Sequence, residues 1–181
     1  MKIYAAVIGT GIGLKHIDAI NNYKNSKVLL VYEKNKKKSL KLKKIFPNIK
    51  FVNSENEIFS NKKINLISIA SYDNYHFKQI LKAINNNKHV MVEKPICLHK
   101  EELNQIIKAK SNKKNIRISS NLILRANQRM VDIKNDISLS RFGDIYYLEA
   151  DYFWGRIGKL NGWRSEMEYY SIILGAAIHM I

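Results

Sequence analysis

Over the first 120 residues, six short apolar runs alternate with stretches of helix-like periodicity. No other feature of the sequence constrains the fold as much. KIYAAVI (2–8), KVLLVY (27–32), NIKFV (48–52), INLISIA (64–70), HVMVE (89–93) and NIRISS (115–120) read as strands. Between them lie a polar–apolar helix pattern reaching Asn22, a lysine-rich helix ending near Pro47 and a brief helix after residue 52. Two further helices are expected over Tyr75–Asn86 and His99–Ser111. Strands that each lead into a helix pair in parallel, with helices on both faces of the sheet, so the expected class is α/β with a doubly wound parallel sheet. No internal repeat or low-complexity linker interrupts the series.

The pattern changes after residue 120. Residues 126–139 read as another helix, and DIYYLEADYFW (144–154) is aromatic and β-branched, suited to an antiparallel strand covered on one face. A Gly- and Trp-containing loop and an apolar segment expected as a last helix, SIILGAAIHMI, follow. One strand and one helix do not make a domain. The expected organisation is therefore a complete domain over residues 1–120 and only the beginning of an α+β second domain over 121–181.

The apolar fraction of 46% suffices for a core. No stretch approaches the roughly 20 apolar residues of a membrane span, so no membrane partner is expected. The N-terminus runs into glycines instead of a cleavage site and reads as a strand, not a signal peptide. Cys97 is the single cysteine, which fits a reducing cytoplasm. The formal charge of +16 raises the question of nucleic acid, but its distribution argues against it. Residues 1–120 carry 24 Lys and Arg against 8 Asp and Glu, residues 121–181 carry 7 against 7, and 25 of the 31 basic residues are lysine. A dedicated nucleic-acid reader leans on arginine, whose fork grips phosphates and guanine edges. Lys, Asn and Ile are all abundant and all have AT-rich codons, so the charge reads as genome composition spread over solvated helix faces. A polyanion patch over Lys34–Lys44 is the alternative.

Four places carry chemistry. In VIGTGIGLKH (7–16), directly after the first strand, Gly9, Gly11 and Gly13 allow a tight turn and close backbone approach, with Thr10 and Ile12 between them. The helix start that follows offers free N–H groups and a positive dipole end to a pyrophosphate. The spacing is G-x-G-x-G, so the third glycine comes one residue earlier than in the usual fingerprint, and a ligand-free tight turn is the alternative. Glu33 ends the second strand about 20 residues on, where a carboxylate accepts hydrogen bonds from both ribose hydroxyls of NAD and repels the 2′-phosphate of NADP. Lys34 and Lys36 beside it soften that rejection, and a solvated strand-end charge is the bland reading. In IASYDNYHF (69–77), at the end of the fourth strand, Ala70, Ser71, Asn74 and His76 are candidate cofactor contacts, although Asn74 or His76 can equally cap the next helix. In VMVEKPICL (90–98), Lys94 ends the fifth strand facing the nicotinamide region, Glu93 can hold it, and Pro95 fixes the turn. A plain surface turn is the alternative there. No metal ligand set is assigned.

Taken in series, these motifs resemble the glucose–fructose oxidoreductase / inositol dehydrogenase / MocA family. The series is the glycine turn, the acidic strand end, the Asn/His loop, Glu-Lys-Pro, NLILR (121–125), FGDIYYLEADY (142–152), Trp163–Arg164 and a late His179. The resemblance implies an N-terminal Rossmann domain and an NAD(P)-dependent oxidoreductase acting on a hydroxyl of a sugar, nucleotide-sugar or cyclitol. NAD is the expected cofactor and NADP the less favoured one. It also implies a C-terminal open sheet that carries substrate and homo-oligomer contacts in full-length relatives. Lys94 then matches the lysine beside the cofactor and the reacting hydroxyl, suited to proton transfer. His179 matches the family's catalytic histidine, and Asn121 a polar position near the nicotinamide. Trp163 and Arg164 match a pair near the cofactor.

Two departures from the family pattern stand out. Tyr169–Tyr170–Ser171 occupy positions where glycines are expected, and Gly175 stands where an acid is expected four residues before the histidine. In addition, the sequence ends at Ile181, about half the family's usual length, so the chain is expected to be C-terminally truncated. A catalytically silent dinucleotide-binding remnant or interaction protein therefore competes with a sugar or cyclitol dehydrogenase.

Overall fold

The computed structural model describes residues 2–153, 155–168 and 170–180. The chain divides into two compact units, Met1–Ser120 and Asn121–Ile181. Unit one contains β1 (Ile3–Ile8), α1 (Gly13–Asn22), β2 (Ser26–Tyr32), α2 (Lys36–Ile45), β3 (Lys50–Val52) and α3 (Glu55–Ser60). It continues through β4 (Leu66–Ile69), α4 (Asp73–Asn85), β5 (His89–Val92), α5 (Lys100–Ser111) and β6 (Ile118–Ser120).

Every strand pairing is parallel, and the order across the sheet is β3-β2-β1-β4-β5-β6. β1 is central because its run is apolar on both faces. Ala6 and Ile8 enter one core with Leu30, Ile67, Ile80 and Val92, whereas Ala5 and Val7 enter the other with Ile17, Val28 and Phe51. Alternate residues of a strand face opposite sides, so one fully apolar strand supplies both cores. The chain first winds from β1 toward β3 and then from β4 toward β6. The strand order therefore reverses between β1 and β4, and the carboxyl ends flanking that point form the crevice typical of doubly wound sheets.

The helices are set by short signals. Asn35 caps α2 by accepting the Lys38 N–H at 3.0 Å. Ser54 and Glu57 form a capping box on α3, and the Glu102 carboxylate accepts the backbone N–H groups of Leu98 and His99 at the start of α5. In α2 only Leu42 is buried, and Lys36, Lys37, Lys41, Lys43 and Lys44 face solvent.

In unit two, a 3-10 turn (Ile123–Ala126) leads into α6 (Gln128–Ser138). The strand expected over 144–154 is not formed: residues 144–153 carry no regular secondary structure and are mostly exposed, and Trp154 lies outside the described residues. β-propensity needs a ladder partner to become a strand, and the described residues supply none here. The apolar segment after Tyr170 is broken as well. It comprises α7 (Ile172–Gly175) and a 3-10 turn (Ala177–Met180), separated by Ala176 at φ −136° and ψ −61°. Tyr169 and Ile181 also lie outside the described residues. Among the described residues no helix is long and apolar enough to cross a membrane.

Candidate functional site: a dinucleotide crevice at the carboxyl edge of the sheet

The three glycines after β1 have three different physical roles. Gly9 adopts φ +87°, and a Cβ there would lie 2.5 Å from the Ala70 carbonyl oxygen and 3.0 Å from the Ser71 nitrogen. Its N–H donates to the Tyr32 carbonyl at 2.8 Å. Backbone conformation and close approach both require glycine. At Gly13 a Cβ would press on Val7 Cγ1 at 3.1 Å and Ala70 Cβ at 3.2 Å, so this glycine lets α1 pack tightly on the sheet. Around Gly11, apart from its own chain neighbours, no described atom would lie within 4 Å of a Cβ. The protein's own packing does not demand glycine at that position, and the space a side chain would fill is open beside the start of α1. The start of α1 beside it has Ile12 at the N-cap, no side-chain cap and no acid in its first turn. Its N–H groups and positive dipole end are therefore available to an anion. A pyrophosphate fits this donor set.

Glu33, directly after β2, closes the turn from the other side. Its Oε2 accepts from the Thr10 N–H at 3.2 Å and from the Thr10 hydroxyl, and its Oε1 accepts from the Asn35 N–H at 2.8 Å. Lys38 Nζ stands 3.6 Å from Oε2 and donates to the Thr10 carbonyl at 3.0 Å. Burial pushes the Glu33 carboxyl up, but the hydrogen bonds from Thr10 and Asn35 and the Lys38 charge outweigh it and leave the group below its ordinary value. Lys34, expected to temper Glu33, points elsewhere. Its ammonium lies 3.4 Å from the Tyr75 hydroxyl and 5.5 Å from that ring's centroid.

The loop after β4 packs against the turn: the Ala70 N–H donates to the Ile8 carbonyl at 2.8 Å, and the Ser71 hydroxyl donates to Gln79 Oε1 at 2.6 Å. Asn74 is exposed in the first turn of α4. His76, expected as a cofactor contact or a cap, does not cap α4, whose N-cap is Tyr72 without a side-chain cap. It is fully buried, with Nδ1 2.7 Å from the Pro95 carbonyl and Nε2 3.2 Å from the Ser71 carbonyl. A neutral ring donates to only one of two carbonyls, and the imidazolium donates to both. His76 thus ties the loop after β4 to the turn after β5.

That second turn carries Glu93, Lys94 and Pro95. The Glu93 N–H continues the ladder to the Ile69 carbonyl at 2.9 Å. Its carboxylate meets a residue that sequence reasoning did not single out: His16 Nε2 lies 2.9 Å from Glu93 Oε1, and His16 Nδ1 lies 2.7 Å from Ser68 Oγ. A carboxylate only accepts, so one neutral tautomer satisfies both contacts: Nε2–H donates to Glu93 and the Ser68 hydroxyl donates to Nδ1. His16 and Ser68 are buried, and the chain Ser68–His16–Glu93 joins β4, α1 and the end of β5 at the residue before Lys94. The signal for His16 was its place on the apolar stripe of α1 with Gly13, Ile17 and Ile20. Lys38 had no distinguishing signal within its lysine run.

The glycine turn, Glu33, Ala70–Ser71 and Glu93–Lys94 thus sit at the carboxyl ends of β1, β2, β4 and β5 of one sheet. Asn121, Trp163, Arg164 and His179 belong to unit two. There the Arg164 guanidinium stacks 4.3 Å from the Trp163 ring centroid and its Nε donates to the Tyr170 hydroxyl at 3.2 Å. His179 lies in the 3-10 turn Ala177–Met180. A Cβ at Gly175 would meet the Tyr170 hydroxyl oxygen at 2.1 Å.

Comparison with known proteins agrees with this fold. A 102-residue stretch is 30% identical to an uncharacterized oxidoreductase of Synechocystis sp. and spans 56% of this chain and 28% of that protein. The same length is 28% identical to glucose-6-phosphate 3-dehydrogenase of Bacillus subtilis, again 56% of this chain and 28% of that protein. Among solved structures, myo-inositol 2-dehydrogenase from Lactobacillus plantarum superposes with a TM-score of 0.88 at 19% identity, over 100% of this chain and 55% of that one. Scyllo-inositol dehydrogenase from Lactobacillus casei, solved with NAD(H) and scyllo-inositol, gives 0.84 at 19% identity over 99% and 54%. At such identities these structures speak for the fold, and the chain spans about half their length. Residues 3–121 match the model of the Gfo/Idh/MocA oxidoreductase family, described by its NAD-binding Rossmann fold. The chain belongs to that family.

Proposed function

We propose that the chain binds NAD(H) along the carboxyl edge of its sheet and serves an oxidoreductase that acts on a hydroxyl of a sugar or polyol. The observation that carries this reading is the open space at Gly11 beside an uncapped helix start, framed by two glycines that packing does require. The cofactor supplies a hydride acceptor for the carbinol carbon. The chain's own residues do the rest. Gly9 and Thr10 shape the turn, their N–H groups held by the Tyr32 carbonyl and Glu33, and the N–H groups from Gly11 through Ile12 to Gly13 at the start of α1 hold the pyrophosphate. Glu33 faces the ribose hydroxyls and favours NAD over NADP, while Ala70 and Ser71 wall the crevice. Lys94 takes the proton of the reacting hydroxyl, with Glu93 steadying its turn. His179, Asn121, Trp163 and Arg164 are proposed to serve substrate and nicotinamide, in keeping with the family pattern.

Isothermal titration with NAD+ and NADH tests binding, and a panel of sugars, inositols and phosphorylated sugars with NAD+ tests turnover at 340 nm. Binding with turnover on any panel member supports the whole reading. Binding without turnover supports the cofactor site alone, an outcome that Gly175 in place of the family's acid favours. Absence of binding refutes the reading.

A further inference from the structure

The cluster around Glu33 contains more than an acid for a ribose. Glu33 Oε2 already accepts from the Thr10 N–H and hydroxyl and faces Lys38, and Oε1 accepts from the Asn35 N–H. An ionised carboxylate offers about four acceptor sites, so little capacity remains for two ribose hydroxyls unless these partners yield. Lys38 Nζ is bonded to the Thr10 carbonyl in the glycine turn and sits against the acid that ends β2. In dinucleotide folds the 2′ position of the adenine ribose lies at this strand end, where an acid selects NAD and a nearby cation accommodates the 2′-phosphate of NADP. Both devices are present here, and they are paired with each other. The Lys38 side chain remains 43% exposed, so its ammonium can turn toward a ligand. Its neighbours are placed differently: Lys34 is engaged with Tyr75, and Lys36 and Lys37 lie exposed on α2.

We infer that Lys38 is a specificity-determining residue that offsets the Glu33 charge and gives the chain measurable affinity for the 2′-phosphorylated dinucleotide alongside NAD. This rests on the dinucleotide reading above. A phosphate entering this corner meets an ammonium that is already in place, and its arrival exchanges the Lys38–Glu33 contact for a Lys38–phosphate contact. With NAD, which lacks that phosphate, Lys38 stays on Glu33 and the Thr10 carbonyl.

Calorimetric titration of NAD+ and NADP+ against the wild-type chain, Lys38→Met, Lys38→Arg and Glu33→Gln tests this without requiring turnover. The wild-type chain is expected to bind both. Lys38→Met should lower NADP+ affinity about tenfold or more, the scale of one lost charge-assisted hydrogen bond, and leave NAD+ affinity within about threefold. Lys38→Arg should keep most NADP+ affinity, and Glu33→Gln should raise it. Far-ultraviolet circular dichroism confirms that each variant is folded. An unchanged NAD+/NADP+ ratio in Lys38→Met, or wild-type binding of NAD+ with none of NADP+, overturns the role of Lys38 and leaves the NAD reading standing. Failure of the wild-type chain to bind either cofactor overturns both.

Discussion

Alanine substituted in turn at Gly9 and Gly11 should separate folding from binding within a single turn. At Gly9 the backbone sits at φ +87°, where an L side chain costs about 1–2 kcal/mol. The new methyl would also stand 2.5 Å from a carbonyl oxygen and 2.8 Å from its carbon, both in the Ala70 backbone, which cannot swing aside as a flexible side chain does. Overpacking of that kind adds about 1–3 kcal/mol. The total of about 2–5 kcal/mol is a large share of the roughly 5–15 kcal/mol that holds an ordinary domain. With a urea m-value near 2 kcal/mol per M, the midpoint should fall by about 1–2.5 M. Gly11→Ala meets no described atom beyond its chain neighbours within 4 Å, so its unfolding free energy should stay within about 0.5 kcal/mol of the wild type and its midpoint nearly unchanged. Its NAD+ affinity should fall at least about tenfold, because the methyl occupies the pyrophosphate cradle. Urea titration followed by circular dichroism and calorimetry on the same preparations read the two effects separately. If Gly11→Ala binds NAD+ as well as the wild type, the cradle does not hold a phosphate. If Gly9→Ala keeps its midpoint, the loop after β4 gives way where it is argued to be rigid.

In any preparation that turns over a hydroxyl substrate, Lys94→Ala should lower the rate by about 10²-fold or more with little change in NAD+ affinity, and steady-state kinetics with parallel calorimetry check this. His16→Leu removes the ring contact of the buried Ser68 hydroxyl and of the Glu93 carboxylate and should cost about 1–3 kcal/mol in urea unfolding. Adding Ser68→Ala should recover part of that loss. Because the Glu33 carboxyl is held below its ordinary value of 4.5, its stabilising contribution is complete above that pH and is lost as pH falls through the lower folded value. Glu33→Gln should therefore flatten the acid limb of a stability–pH curve, and an unchanged limb would contradict the bonding seen around it. Gly175→Asp should lower the melting temperature of the chain, and Tyr170→Gly in the same molecule should restore part of it; additive losses would mean that the two positions are independent.

The sheet was legible because buried parallel strands are written as apolar runs, and β1, β2, β4 and β5 fall within a residue or two of those runs. The two outer strands are shorter than their runs: NIKFV contributes only Lys50–Val52, and NIRISS only Ile118–Ser120. Each pairs on one side alone, so its ladder extends no farther than its single neighbour allows. His76 falls at i, i+3, i+4 and i+7 spacing with Gln79, Ile80 and Ala83, so the helix period places it on the buried stripe of α4. The glycine turn, Glu33 and Lys94 could be located from the sequence because each ends a strand. Their partners could not, since the Ser68–His16–Glu93 chain joins residues 52 and 77 positions apart and no local pattern encodes that pairing. The stretch 144–153 shows the opposite limit: strong β-propensity that the described residues leave without a ladder.

The two departures near the end of the sequence are better understood as one change. The family pattern sets glycines before the last apolar segment and an acid four residues before the histidine. In this chain Tyr170 and Gly175 stand at those places. A side chain at Gly175 would start 2.1 Å from the Tyr170 hydroxyl oxygen and 2.7 Å from its Cζ. The tyrosine therefore fills the space the acid would need, and the glycine is what admits the tyrosine. That ring is also held from the other side, where the Arg164 Nε donates to its hydroxyl at 3.2 Å and the guanidinium lies 5.6 Å from its centroid. Turning the ring aside to admit a carboxylate would break the arginine contact, so restoring the acid alone should not restore the family arrangement. Trp163, Arg164, Tyr170 and Gly175 form a self-consistent packing unit in which one bulky residue replaces a small one and one small residue replaces a bulky one. Volume-compensated pairs of this kind preserve packing while they change the polar groups on offer. A tyrosine hydroxyl committed to an arginine thus stands where the family resemblance leads one to expect a carboxylate.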